Sequence, residues 1–142
     1  MFNTSYYTVK EFKYAEFDII VDWTYEHCSV RDCFDETEEQ FQEMERRQEA
    51  YLDTHYIARV RAMYDGVEMG SAVLGSCYAY DCSPEDDITE NQSDYLKDLV
   101  TETVAEARTN ATAMLDKMKM DFDNAYENHV VSYHCGNPFP DL

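Results

Sequence analysis

The stretch HYIARVRAMYDGVEMGSAVLG, residues 55–75, restricts the fold more than any other part of the chain. Tyr56, Ala58, Val60, Ala62 and Tyr64 alternate with Ile57, Arg59, Arg61 and Met63, the period of a strand with two unlike faces. Asp65-Gly66 then offers a two-residue turn whose twist matches that of paired strands. A hairpin follows, with Gly70 and Gly75 as sites of a bulge or of local weakening.

A second strand reads from EFDIIVDWTYEH. Phe17, Ile19, Val21, Trp23 and Tyr25 point one way, and Asp18, Ile20, Asp22, Thr24 and Glu26 point toward water. Residues from Tyr6 to Tyr14 are also rich in strand formers, and NHVVSYH near the C-terminus suggests a last short strand. Thr37 and Gln40 fit a capping box, and Phe41, Met44, Gln48, Tyr51, Leu52 and His55 then fall near one helical face. The spacing predicts a helix from Asp35 to Thr54. Ser83-Pro84 opens a longer one, with Ser93 as a second start and a break near Asn91. Apolar residues from Leu96 through Val100, Val104, Ala107, Leu115 and Met118 to Phe122 recur at three- and four-residue steps along it. The expected fold is one α+β domain: an antiparallel sheet of three to four strands with two amphipathic helices on one face.

Charge narrows the function. The 142 residues hold 30 acids against 11 lysines and arginines, a formal net charge of −19, yet 44% are hydrophobic and 14% aromatic. Such a chain can fill a core, unlike a disordered acidic tail. Nucleic acids and anionic membranes would repel it, so its natural partner is a basic surface. The N-terminus MFNTSYYTVKEFKYAEF has no charged-then-apolar leader pattern, and no run approaches a membrane span, so a cytosolic setting is expected. Asn3, Asn91 and Asn110 sit in sequons that this setting leaves without meaning.

Chemistry-bearing motifs are sparse. Four glycines, Gly66, Gly70, Gly75 and Gly136, do not make a phosphate-cradling loop. Asp121-Phe122-Asp123 starts like a calcium loop but lacks its glycine and closing glutamate. Cys28, Cys33, Cys77, Cys82 and Cys135 are odd in number and spaced too widely for a usual zinc site, so they read as small thiols in a reducing compartment. His27, His55, His129 and His134 have no local partner pattern, and no cofactor is called for.

What stands out is an acid at every fourth position: Asp86, Glu90, Asp94, Asp98, Glu102 and Glu106. Neighbours four apart on a helix repel by ~0.2–0.5 kcal/mol per like-charged pair. The first helix adds the rows Asp35, Glu39, Glu43 and Glu45, Glu49, Asp53, partly offset by Arg46 and Arg47. At ~1.5 Å rise per residue, such a row sets a carboxylate every ~6 Å, a spacing comparable with nucleic-acid phosphates. The row advances ~40° per step, so it is a slanted stripe rather than a straight rail.

In size, charge and these spaced acids the chain resembles the small acidic DNA-mimic proteins that bacteriophages make against host defence, the anti-restriction and anti-CRISPR inhibitors. Roughly a third of the chain carries the resemblance. It implies a host nucleic-acid-binding complex as partner, blockage of its DNA channel as mechanism, and no catalysis. Those proteins share no single fold, so it implies nothing about architecture. The alternative is a binding or adaptor module whose acids only confer solubility. Its sheet, with Trp23, Tyr25, Tyr56, Tyr64, Tyr78 and Tyr80, would line a small-molecule pocket or a homodimer interface. Arg59 and Arg61 would then meet an anionic ligand. A cysteine enzyme is a third class, with no motif to select its nucleophile.

Overall fold

A computed structural model describes the backbone of residues 5–135 and the side chains of residues 5–127. Strands β1 (Tyr7–Tyr14), β2 (Phe17–Tyr25), β3 (Thr54–Tyr64) and β4 (Val67–Ala79) form an antiparallel sheet in the order β1-β2-β3-β4. The helical segments are α1 (Val30–Cys33), α2 (Glu38–Glu49), α3 (Pro84–Glu90) and α4 (Ser93–Cys135). The protein is α+β, with four helices among the described residues where two were expected. It divides between Ala107 and Arg108 into two compact units, and α4 contributes to both.

The hairpin forms as its turn chemistry dictates. Asp65 and Gly66 both adopt positive φ, 49° and 79°, the conformation a twist-matched two-residue turn needs. The β3–β4 register shifts twice, between Ala62 and Met63 opposite the Met69–Gly70 region and between Tyr56 and Ala58 opposite Gly75-Ser76. Both anticipated glycines therefore lie at bulges.

The core lies on one face of the sheet. Ile19 pairs with Ala62, Val21 with Val60 and Trp23 with Ala58, and all six are buried. Ile88 of α3 and Leu96, Val100, Val104 and Ala107 of α4 are buried as well, the three- and four-step apolar positions of those helices. Helix α4 meets β4 at Gly70, where a Cβ would stand 2.8 Å from the Thr103 carbonyl oxygen and 3.0 Å from the Ala107 nitrogen. Only a residue without a side chain allows this approach.

Helices α1 and α2 reach the other face. The Phe34 ring lies 5.4 Å from His55 and 6.2 Å from Tyr78, and the Met44 carbonyl of α2 lies 3.4 Å from the Tyr78 hydroxyl. Strand alternation turns His55 and Tyr78 away from Tyr56 and Cys77 on the core face.

Several expectations need correction. Asp22 and Thr24 do not face water: they are 1% and 5% exposed. The register sets Asp22 opposite Arg59, whose guanidinium makes two bonds of 2.9 and 2.7 Å to its carboxylate and stacks 3.5 Å over the Tyr6 ring. Arg61 adds a third bond to the same carboxylate. Burial of this carboxylate is tolerated because it is paired on both oxygens.

Helix α2 starts at Glu38, with Thr37 as the cap and Gln40 in its first turn completing the capping box, so Asp35 lies outside it; it ends at the Ala50 cap, before Tyr51 with φ 58°. Asp53 lies beyond it and closes the loop into β3. The anticipated strand at NHVVSYH is instead the end of α4, helical to Cys135. Extending an existing helix adds a hydrogen bond for each residue fixed, which outweighs the strand preference of Val130, Val131 and Tyr133.

Gly70→Ala should destabilise the fold by about 1–3 kcal/mol, because the backbone of α4 must shift to admit the methyl group. Gly75→Ala has nothing within 4 Å of the new atom and should be neutral or slightly stabilising. Urea denaturation of both variants checks this; equal midpoints would remove the close-approach argument.

Candidate functional site

The acids from Asp81 to Glu106 separate into two kinds. Three hold the fold together. Asp87 is 3% exposed, and its carboxylate accepts from the Tyr56 hydroxyl, from Asn91 Nδ2 at 2.8 Å and from Gln92 Nε2 at 3.4 Å. Glu85 accepts from Trp23 Nε1 at 2.8 Å, and Asp81 lies 3.6 Å from Arg47. The other six, Asp86, Glu90, Asp94, Asp98, Glu102 and Glu106, are exposed, and none has an ion-pair partner among the described residues.

Local sequence explains the placement. Ser83 caps α3 by accepting from the Asp86 amide, Pro84 takes the first helical position, and the acids of the first turn face the positive helix end. Asn91 ends α3 by donating to the Asp87 carbonyl. The row is therefore interrupted: Asp86 and Glu90 stand on α3, and Asp94, Asp98, Glu102 and Glu106 on α4. With the apolar face of α4 against the sheet, its four acids emerge on the wet side over ~18 Å of helix.

The α2 acids differ. Glu43 binds Arg46, while Arg31 joins Glu38 and Glu45. Arg46 and Arg31 hold the Glu43 and Glu38 carboxyls below the usual carboxylate range, chiefly by hydrogen bonding. Asp53 is 4% exposed and accepts from Arg47 Nε at 2.9 Å, Tyr78 Oη at 2.6 Å and the Asp81 amide at 2.9 Å. Of the second set, Asp35, Glu39 and Glu49 remain exposed without an ion-pair partner among the described residues, and Asp35 precedes the helix. The structure thus keeps the α4 row as a charged surface and gives much of the α2 array arginine counterions.

The other candidates disperse. Arg59 and Arg61 both pair with the buried Asp22. Tyr56 is buried against Asp87, Tyr80 lies under the Arg47 guanidinium at 4.2 Å, and Tyr64 packs edge-on against Phe17. Trp23, Tyr7 and Tyr25 do cluster, with Trp23 4.7 Å from Tyr7 and 5.0 Å from Tyr25. Trp23 and Tyr25 border an open cleft of about 770 Å³ at one end of the sheet, together with Glu26, Cys28, His55 and Asp81.

Cys28, Cys33, Cys77 and Cys82 are free, and Cys135 lies outside the described side chains. Burial pushes the Cys77 thiol up to about 11, and the Glu26 charge raises that of Cys28, so neither is primed as a thiolate. Among the described residues no three His, Cys, Asp or Glu side chains gather as a metal site, and no helix is long and apolar enough to cross a membrane.

Sequence reading did not find the Arg47–Asp53–Tyr78 junction or the buried His55. The first had no local signal, since its members come from α2, the following loop and β4. The Asp22–Arg59 pair joins β2 to β3, whose connection runs through α1 and α2, so no tight turn announced its register. No family model, curated protein or solved structure matches the chain.

His55 is 6% exposed, and its Nε2 has no hydrogen-bond partner. Burial lowers its pKa below the ordinary histidine value, against a smaller opposing pull from Glu26. Below pH ~6.5 the unfolded histidine therefore takes up a proton that the folded one refuses, and folding stability falls as pH drops toward the folded pKa. Burial alone would raise Glu26 and Asp53, but the Cys28 and Ser76 amides outweigh it at Glu26, and Arg47 and Tyr78 do so at Asp53. Both end lower than usual, so their losses begin only near pH ~4. Urea titrations of wild type and His55→Gln from pH 7 to pH 5 isolate the histidine from general relief of acid repulsion. The stability gap between the two should change steadily over that interval; a constant gap would sink the assignment.

Proposed function

We propose that the protein is an inhibitor that occupies a basic nucleic-acid-binding surface of another protein, presenting carboxylates where that surface receives phosphates. The observation that carries this reading is the row Asp94, Asp98, Glu102 and Glu106, exposed and without ion-pair partners among the described residues, whereas Glu38, Glu43 and Glu45 of α2 have arginine partners. Like charges at successive i,i+4 positions cost helix stability, so an external basic partner gives the arrangement a purpose. Opposite charges would steer the encounter and make association fast and salt-sensitive. The host setting, a bacteriophage protein acting on a restriction or CRISPR complex, follows from the resemblance in composition.

The second reading, a ligand-binding module with a merely solubilising surface, draws on the open cleft beside Trp23, Tyr25 and His55. One experiment separates the two. Immobilised protein should capture nucleic-acid-binding proteins from a bacterial lysate in low salt, and duplex DNA or high salt should release them. The variant Asp94→Asn, Asp98→Asn, Glu102→Gln, Glu106→Gln should lose that capture. The same variant should be more stable, by about 0.6–1.5 kcal/mol for three relieved pairs. Undiminished capture by the variant, or direct binding of DNA by the wild type, would overturn the mimic reading.

A further inference from the structure

The second unit begins at Arg108, and its described helix carries an apolar seam. Ala111, Leu115, Met118, Phe122 and Ala125 follow one another at alternating steps of four and three, the spacing by which one helix meets another along a shared seam. Met114 and Tyr126 flank it. Leu115 is 65% exposed, Phe122 66% and Tyr126 70%, while the same helix buries Leu96, Val100, Val104 and Ala107 in the first unit. An apolar helical stripe open to water marks an interaction surface.

Charge selects the occupant. Residues 81–106 set nine acids against Lys97 alone, whereas residues 108–127 hold Arg108, Lys117 and Lys119 against Asp116, Asp121, Asp123 and Glu127. The seam segment is thus close to neutral in a chain of net charge −19. A basic partner gains little there beyond apolar contact, and two copies of this chain meet there without the repulsion that the acid row would impose. On a helical wheel Lys119 falls on one flank of the seam and Asp121 on the other, so a second copy brings charges of both signs to the edges. Lys117 already reaches Asp121 at 2.7 Å within the helix.

We propose that this seam joins two copies of the chain as a helix pair through Leu115, Met118 and Phe122. The inference stands apart from the mimic reading, because it uses no residue of the acid row.

Sedimentation velocity of the full chain in reductant, from low micromolar to sub-millimolar concentration, tests it. A concentration-dependent dimer that persists or tightens in high salt is expected, since apolar burial drives it and screening removes the residual repulsion. Leu115→Glu with Phe122→Glu should give a monomer with an unchanged near-ultraviolet circular dichroism spectrum. Met120→Glu, on the opposite side of the helix, should still dimerise. A wild-type monomer at every concentration would overturn the proposal. So would a dimer that survives the double substitution, or one that Met120→Glu disrupts equally.

Discussion

The carboxylate of Asp87 links the sheet to the helices above it. It receives the Tyr56 hydroxyl from β3, and it holds Asn91 and Gln92 at the break between α3 and α4. Burial and this bond together raise the Tyr56 pKa well above the usual phenol range, so the phenol stays protonated and donating at any physiological pH. That anchor ties the end of α3 and the start of α4 to β3, and so helps set the bearing of the outward side of α4. Trp23 Nε1 donating to Glu85 secures the same helix from β2.

A chain so rich in acid must keep its carboxylates from defeating its own fold, and it does so by assigning them different tasks. Asp22, Asp53 and Asp87 are buried and satisfied by arginine, tyrosine or amide donors. Glu38, Glu43 and Glu45 are held by arginines at the surface, where such pairs contribute little to stability. Asp94, Asp98, Glu102 and Glu106 have neither arrangement among the described residues. Their repulsion is tolerated because apolar contacts of Leu96, Val100 and Val104 hold the helix on the sheet.

Much of the sheet was legible because period-two alternation, Asp65-Gly66 and the glycine bulges are local signals. Thr37 with Gln40 and Ser83 with Pro84 likewise marked helix starts by short-range chemistry. Asp22 defeated the reading, since alternation assigns a face but not what later covers it; Arg59 and Tyr6 do so from β3 and from before β1. The end of α4 failed for a related reason: strand preference in Val130 and Val131 is a weak prior beside a helix already formed. Of the candidate acids, Asp94, Asp98, Glu102 and Glu106 lie exposed on a helix, as their four-residue spacing implied. Near α2, Glu43 and Glu45 are held by Arg46 and Arg31, the latter approaching from a short helix that the sequence did not announce.

The two bulges of β4 have a consequence beyond the hairpin. As the last strand in the order, β4 leaves one side of its 13-residue backbone without a neighbouring strand among the described residues. A flat edge of that length is a template on which further chains can add as cross-β strands. The register shifts opposite Met69–Gly70 and Gly75-Ser76, with Ser76 at φ 55°, break the regular alternation of donors and acceptors along it. An incoming strand would find only short stretches in phase along this edge, which disfavours growth by strand addition there even where concentration or salt weakens the protection of net charge.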